Sequence, residues 1–165
     1  MTETRFKLRS EIHLSAPGLL DGHPIPHRYT KRGANLSPEF LWSGLPEETA
    51  SLALICEDPK GPDGPFALWV VYNIPADLNG LPENLSKLPR PPEVPGAAQG
   101  ENDAGSFGYD GPAPPPGHPP HRYTFTLFAL DVALALAPGA DVDTLRSAMD
   151  GHILATGELT GTLKA

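Results

Sequence analysis

Cysteine and long apolar segments are nearly missing from this chain, which limits the environments in which it can work. Its single cysteine, Cys56, excludes an internal disulfide. The longest apolar segment, residues 127–137, is interrupted by Asp131 and is too short to span a bilayer. Residues 1–14 alternate polar and apolar side chains and lack the apolar region of a signal peptide. We therefore expect a cytoplasmic protein that has no transmembrane segment.

Positive charge is also scarce, since 12 Lys and Arg residues stand against 20 Asp and Glu residues and give a formal net charge of −8. A chain of this charge is a poor partner for nucleic acids and for anionic membranes. A solvated loop is the simplest explanation of the small basic group formed by Arg28, Lys31 and Arg32. We therefore predict no nucleic-acid partner.

Motifs for covalent or metal-assisted catalysis are missing as well. The chain contains no G-x-S-x-G nucleophile elbow. His23 and His27 have the i, i+4 spacing of helical metal ligands, but two prolines between them forbid the helix. We therefore predict no enzymatic activity, no metal and no cofactor. A weak hydrolase, in which Asp58 and His121 polarise a water molecule, remains an alternative.

Proline and glycine, in contrast, are abundant, with 21 and 17 residues. Their combined share lies just below the roughly 25–30% at which disorder becomes the first expectation. Hydrophobic residues make up 39% of the chain, which is enough for a core. A chain of 165 residues most simply forms one domain. We predict a single compact, loop-rich domain over residues 1–165.

Short apolar segments between turn-forming residues indicate a mainly β fold. The predicted strands are residues 5–14, 39–42, 49–56, 66–74, 121–131 and 152–163. Residues 76–100 are too long for a hairpin and are predicted to form a flap or a crossover. A short helix is expected to begin at a cap, Asp141 or Asp143, and to end between Met149 and Gly151. This pattern predicts a β-sandwich with one or two short helices near the C-terminus.

The most distinctive segment is Tyr109 to Phe125, which reads YDGPAPPPGHPPHRYTF. Its prolines forbid a helix or a central strand over residues 112–120, so this loop must lie extended and comparatively stiff. In the strand that follows, His121 and Tyr123 point to the same face. The segment therefore predicts a small pocket with a titratable rim, to which Asp58 at the end of another apolar strand can contribute.

Four motifs then connect the chain to a known family. They are Asp58-Pro59-Lys60-Gly61-Pro62, LWVVYNIP at residues 68–75, GYDGP at residues 108–112 and HRYTF at residues 121–125. In this order and spacing they resemble the phosphatidylethanolamine-binding protein (PEBP) family, specifically its bacterial, Raf-kinase-inhibitor-like branch. The resemblance extends from about Phe6 to Leu154.

This resemblance implies a β-sandwich of two antiparallel sheets with a small pocket for phosphate-like head groups. The ligand-binding residues of the family map onto Asp58, onto the backbone around Gly111 and Pro112, and onto His121 and Tyr123. Backbone N–H groups of a glycine-containing turn can cradle an anion. Protonated His121 and the Tyr123 hydroxyl can donate hydrogen bonds to it. Asp58 can orient His121 or bind an ammonium group.

Four residues depart from the family pattern, among them Pro65 and Ala67, which replace polar residues common in that loop. Leu68 stands where a histidine commonly precedes the tryptophan, and Lys60 stands where a carboxylate is usual. Loss of the imidazole removes a donor worth roughly 1.5–3 kcal/mol towards a charged group. We expect a pocket that is drier, weaker for phosphate or altered in preference. Lys60, Leu68, Tyr109 and His118 are the expected rim.

Two functions follow from the sequence. The first is non-catalytic binding of a small phosphate-like anion or a phosphoethanolamine-type head group, with or without a regulatory role. The alternative is a kinase or protease inhibitor that contacts its protein partner through the pocket rim and the proline-rich loop, whose P-x-x-P spacing suits polyproline II recognition. A homodimer through an exposed sheet face is also open.

Overall fold

The computed structural model describes residues 11–165. The predicted strand at residues 5–14 lies largely outside this range. The elements are β1 His13–Ser15, β2 His23–Pro24, a 3-10 turn His27–Tyr29, β3 Phe40–Ser43, β4 Ser51–Asp58, β5 Phe66–Pro75, β6 Gly80–Leu81, β7 Ala98–Gln99, β8 His121–Leu130, α1 Val142–Met149 and β9 Ile153–Leu163.

The strands form two sheets. The larger sheet has the order β2-β9-β8-β4-β5-β7, and the smaller sheet has the order β1-β3-β6. A mainly β, two-sheet fold with a short helix near the C-terminus is thereby confirmed. One pairing departs from the antiparallel prediction, because β2 runs parallel to β9.

The larger sheet is covered on both faces, which explains the density of apolar residues in its central strands. On one face Phe40 of the smaller sheet packs against Trp69 and Phe125, with ring centroids 6.2 and 5.1 Å apart. On the other face Leu145 and Met149 of α1 lie in a second buried cluster. A strand buried on both faces cannot alternate apolar with polar residues. The sequence segments 49–56 and 66–74 show this continuous pattern.

The helix α1 begins at Asp141, one of the two predicted caps. The Asp141 carboxylate accepts a hydrogen bond from the backbone N–H of Thr144 at 2.8 Å, as an N-cap residue does. Gly151 follows the helix with a φ of +82°, a left-handed conformation that glycine adopts without strain. Within residues 11–165, no helix combines the length and apolarity needed to cross a membrane.

Residues 76–100 form a crossover between the two sheets. The sequence predicted either a crossover or a flap here. β6 pairs with β3 in the smaller sheet, and β7 pairs with β5 in the larger sheet. The pairs are only two residues long, so no alternation in the sequence marks them. The crossover packs Leu81, Leu85 and Val94 into the core between the sheets.

Candidate functional site

The pocket forms where one central strand ends and its neighbour begins. β4 and β8 are antiparallel neighbours, with Glu57 opposite Thr124. Asp58 at the end of β4 therefore lies beside the first residues of β8. Asp58, His121 and Tyr123 line one cavity of about 270 Å³ together with Lys31, Phe66, Leu68, Asp110, Gly111 and parts of the loops 61–62, 104 and 113–115. The sequence prediction of a shared mouth thus corresponds to an observed cavity.

Asp58 holds the imidazole of His121 in a fixed orientation. The distance from Asp58 Oδ2 to His121 Nδ1 is 2.6 Å, and the other carboxylate oxygen accepts the backbone N–H of Lys60 at 2.9 Å. Asp58 is only 6% exposed. Because a carboxylate accepts and does not donate, the proton of this hydrogen bond lies on His121 Nδ1. The second ring nitrogen, Nε2, is left with its lone pair.

That second nitrogen faces His118 of the proline-rich loop. His118 Nδ1 and His121 Nε2 are 3.4 Å apart, and the two rings are inclined by only 18°. His118 itself is exposed and does not line the main cavity. The sequence suggests His118 as a rim residue, whereas in the structure it lies beside His121 and outside the lining of the main cavity.

Tyr123 contributes the most unusual group of the cavity. The residue is 3% exposed, and its hydroxyl makes no hydrogen bond with any group of residues 11–165. Buried polar groups normally have partners, so this hydroxyl is suited to donate to a molecule that enters the cavity. Burial, with a smaller contribution from the Asp58 charge, raises the pKa of Tyr123 well above its ordinary value. The phenol therefore stays protonated and able to donate.

Gly111 and Pro112 do not provide the predicted backbone cradle. The Gly111 N–H donates to Asn35 Oδ1 at 2.7 Å, and proline has no N–H. The carbonyl of Pro112 accepts the backbone N–H of Lys31 at 3.1 Å. A Cβ on Gly111 would lie 2.5 Å from the Tyr29 carbonyl oxygen, so glycine is needed for this close approach. The turn is bonded to the loop 29–35 instead of to a ligand.

Two charged residues of the cavity escaped sequence analysis. Lys31 Nζ lies 3.2 Å from Asp110 Oδ2, and Asp110 Oδ1 accepts a hydrogen bond from the Asn35 side chain at 3.2 Å. Lys31 was interpreted as a solvated loop residue, yet it lines the cavity. Asp110 stands inside the GYDGP motif, which was a usable signal. Nothing near Lys31 in the sequence indicates a partner so far along the chain.

The remaining predicted rim residues differ in position. Leu68 is 4% exposed and forms an apolar wall of the cavity. Lys60 lies outside it and borders a neighbouring depression together with Arg122 and the far side of His121. Tyr109 is buried in the wall behind, where its hydroxyl donates to the Tyr29 carbonyl at 2.6 Å. Only Leu68 of these three faces the cavity.

Lys87 stabilises the cavity wall, and the sequence did not indicate this role. Its ammonium donates to the carbonyls of Tyr109 and of Asn35, the latter at 3.0 Å. Desolvation lowers the pKa of Lys87, and the charge of Asp110 partly opposes that effect. Lys87 thus joins the two segments, around residues 35 and 109, that position Asp110.

The cavity combines donors with apolar walls. Its charges form two pairs, Asp58 with His121 and Asp110 with Lys31. Within residues 11–165, no serine or cysteine lines it, and no group of three or more histidine, cysteine or carboxylate residues is placed to hold a metal ion. Polar groups on apolar walls are typical of a pocket for a small polar molecule.

Comparisons with known proteins agree with this architecture. Residues 15–164 match the family model described as phosphatidylethanolamine-binding protein. A UPF0098 protein of Methanothermobacter thermautotrophicus is 46% identical over 150 residues, which cover 91% of this chain and 97% of that protein.

Two solved structures have the same fold. One is a PEBP homolog from Chlamydia trachomatis, with a TM-score of 0.83, 38% identity and coverage of 94% of this chain and 99% of that one. The other is Escherichia coli YbcL, described as a member of the mammalian PEBP family, with a TM-score of 0.88, 29% identity and the same coverage of 94% and 99%. The chain therefore belongs to the phosphatidylethanolamine-binding protein family.

Proposed function

We propose that this protein is a non-catalytic binding protein for small phosphate monoesters of head-group size, and that the cavity at Asp58, His121 and Tyr123 is its binding site. The observation that carries the proposal is the hydroxyl of Tyr123, a buried donor that has no hydrogen-bond partner among residues 11–165. A ligand oxygen in the cavity would satisfy it. The names of the Chlamydia and E. coli relatives refer to phosphatidylethanolamine binding, which supports a phosphoethanolamine-type ligand.

Three side chains would hold the phosphate. The Tyr123 hydroxyl donates one hydrogen bond, and Lys31 and protonated His121 supply positive charge. Lys31 is half exposed and paired with Asp110, so its contribution is modest. The carboxylate of Asp110 offers a partner for the ammonium of the same head group.

The arrangement of the cavity residues supports the non-catalytic part of the proposal. Hydrolysis by Asp58 and His121 would need a base with a free lone pair beside a polarised water. Both oxygens of Asp58 already accept hydrogen bonds, and the lone pair of His121 Nε2 points to His118, which does not line the cavity. Leu68 also removes one expected donor from the wall.

The proposal is tested by two-dimensional NMR titration of the protein with phosphoethanolamine and, separately, with ethanolamine. We expect saturable shifts at Leu68, Gly111 and Tyr123 with phosphoethanolamine only. Tyr123→Phe should weaken that binding about tenfold, the value of one hydrogen bond to a charged group. Tyr109→Phe, which alters a hydroxyl outside the cavity, is the control. Absence of shifts, or equal affinity in Tyr123→Phe, would refute the proposal, and release of inorganic phosphate would refute its non-catalytic part.

A further inference from the structure

We propose that His118 and His121 bind a divalent transition-metal ion, with zinc as the best fit, through His118 Nδ1 and His121 Nε2. These atoms are 3.4 Å apart. Zinc binds imidazole nitrogens at about 2.0–2.1 Å in tetrahedral geometry, so two such nitrogens lie about 3.3–3.4 Å from each other. The separation in the protein matches that of two ligands of one ion, which would take the place of the N–H···N contact between the two rings.

Asp58 prepares His121 for this role. A metal-binding histidine usually donates its other ring N–H to a carboxylate, which fixes the tautomer and strengthens the ligand. His121 has this arrangement, because Nδ1 lies 2.6 Å from Asp58 Oδ2, which leaves the lone pair on Nε2, the nitrogen that faces His118. Only 12% of the His121 side chain and 9% of the Asp58 side chain are exposed, so the pair is held by its surroundings.

The local sequence limits the cost of bringing the two ligands together. His118 and His121 are separated by Pro119 and Pro120, whose φ angles are fixed in the unbound protein. His118 is exposed, which leaves an entry path for the ion. The i, i+3 spacing escapes a search for helical metal ligands, because the chain is extended here. Only the observed approach of the two rings indicates the site.

The site differs from a structural zinc centre in having two protein ligands and two positions left for water. We therefore expect affinity below that of closed four-ligand sites and selectivity for metals that prefer imidazole, such as zinc, copper and nickel, over magnesium. The inference does not depend on the proposed binding of phosphate monoesters. It rests on His121 Nε2 and on His118, which does not line the cavity.

The experiment is calorimetric titration of the metal-free, full-length protein with zinc chloride in phosphate-free buffer. We expect one zinc per chain and at least tenfold weaker binding for His118→Ala. His27→Ala, which removes an exposed histidine from another loop, should bind as the wild type does. Asp58→Asn should weaken binding about 10- to 100-fold because it removes the carboxylate that orients His121.

The site is directly visible in the imidazole 15N chemical shifts. Zinc should move Nδ1 of His118 and Nε2 of His121 together, and excess magnesium should not reverse the shifts. Lack of saturable binding by the wild type, equal zinc affinity in His118→Ala, or shifts confined to one of the two rings would each overturn the proposal. Because His118 is exposed, its replacement should leave the unfolding midpoint unchanged, which separates loss of a ligand from loss of the fold.

Discussion

The backbone N–H of Gly111 donates to Oδ1 of Asn35, and the side-chain amide of the same asparagine donates to Asp110. One side chain thus fastens two consecutive residues of the pocket wall to a loop about 75 residues earlier in the chain. The Gly111 N–H, which the sequence suggested as a donor to an anion, instead stabilises the pocket wall. The Gly111 N–H is therefore not available to a ligand of the proposed site.

Replacement of Asn35 should loosen that frame. Asn35 has a φ of +58°, so Asn35→Gly removes the side-chain hydrogen bonds without straining the backbone. We expect the free energy of unfolding to fall by about 1–3 kcal/mol, since one lost bond involves a carboxylate. Asn84→Gly is a matched control, because Asn84 has a φ of +62° and an exposed side chain. Urea denaturation of the two variants measures the difference, and equal losses would contradict the role of Asn35.

The central strands and the Asp58–His121 pair were predictable, whereas the loop contacts were not. β4, β5 and β8 are long, buried segments bounded by prolines or turns, and their adjacent ends bring Asp58 and His121 together. Lys31 and Asn35 reach Asp110 from an irregular loop without periodicity. Such a contact depends on how the loops pack, which no local residue pattern encodes. The two-residue strands β2, β6 and β7 cannot be predicted from local sequence for the same reason.

Tyr123→Phe should leave the fold intact or stabilise it, unlike the equivalent change at Tyr109. The Tyr123 hydroxyl has no protein partner within residues 11–165, so its removal deletes a buried polar group that lacks a hydrogen bond. Tyr109→Phe breaks the hydrogen bond to the Tyr29 carbonyl and should cost about 1–2 kcal/mol. Urea unfolding of both variants tests the contrast. A loss of stability in Tyr123→Phe as large as in Tyr109→Phe would mean that the hydroxyl is already bonded.

Alkaline pH should destabilise the protein partly through Tyr123. Its pKa in the folded state is raised, chiefly by burial, above the ordinary value of 10.0. Above that ordinary value the unfolded chain loses the phenol proton while the folded protein keeps it. The unfolded state then binds fewer protons, so stability falls as pH rises, by at most about 1.4 kcal/mol per pH unit for this group.

The Tyr123 contribution can be isolated from that of the other tyrosines, whose pKa values are also raised, mainly by burial. Unfolding free energies of the wild type and of Tyr123→Phe are compared at several values between about pH 9 and 11. We expect parallel curves below the ordinary tyrosine pKa and a shallower decline for the variant above it. The same slope in both proteins would show that Tyr123 does not keep its proton on folding.

Leu68→His should strengthen phosphate binding, because Leu68 lines the cavity at the position where the family commonly has an imidazole. A protonated imidazole there adds a donor worth about 1.5 kcal/mol or more, or about tenfold in affinity. The gain should be largest below about pH 6.5, where histidine carries its proton, and should shrink at higher pH. It should be accompanied by a loss of stability, since position 68 is only 4% exposed and burial of a charge is costly.

Leu68→Met separates the donor from the change of shape. Methionine keeps an apolar wall of similar volume and should cost less than about 1.5 kcal/mol of stability, with phosphate affinity unchanged. The measurement is NMR titration with phosphoethanolamine on the wild type and both variants at two pH values. A pH-independent gain in Leu68→His, or an equal gain in Leu68→Met, would mean that the cavity responds to space and not to charge. A gain confined to the histidine variant at low pH would identify Leu68 as the residue that weakens this pocket for phosphate. Protonation of the added imidazole is the difference between the two variants that depends on pH.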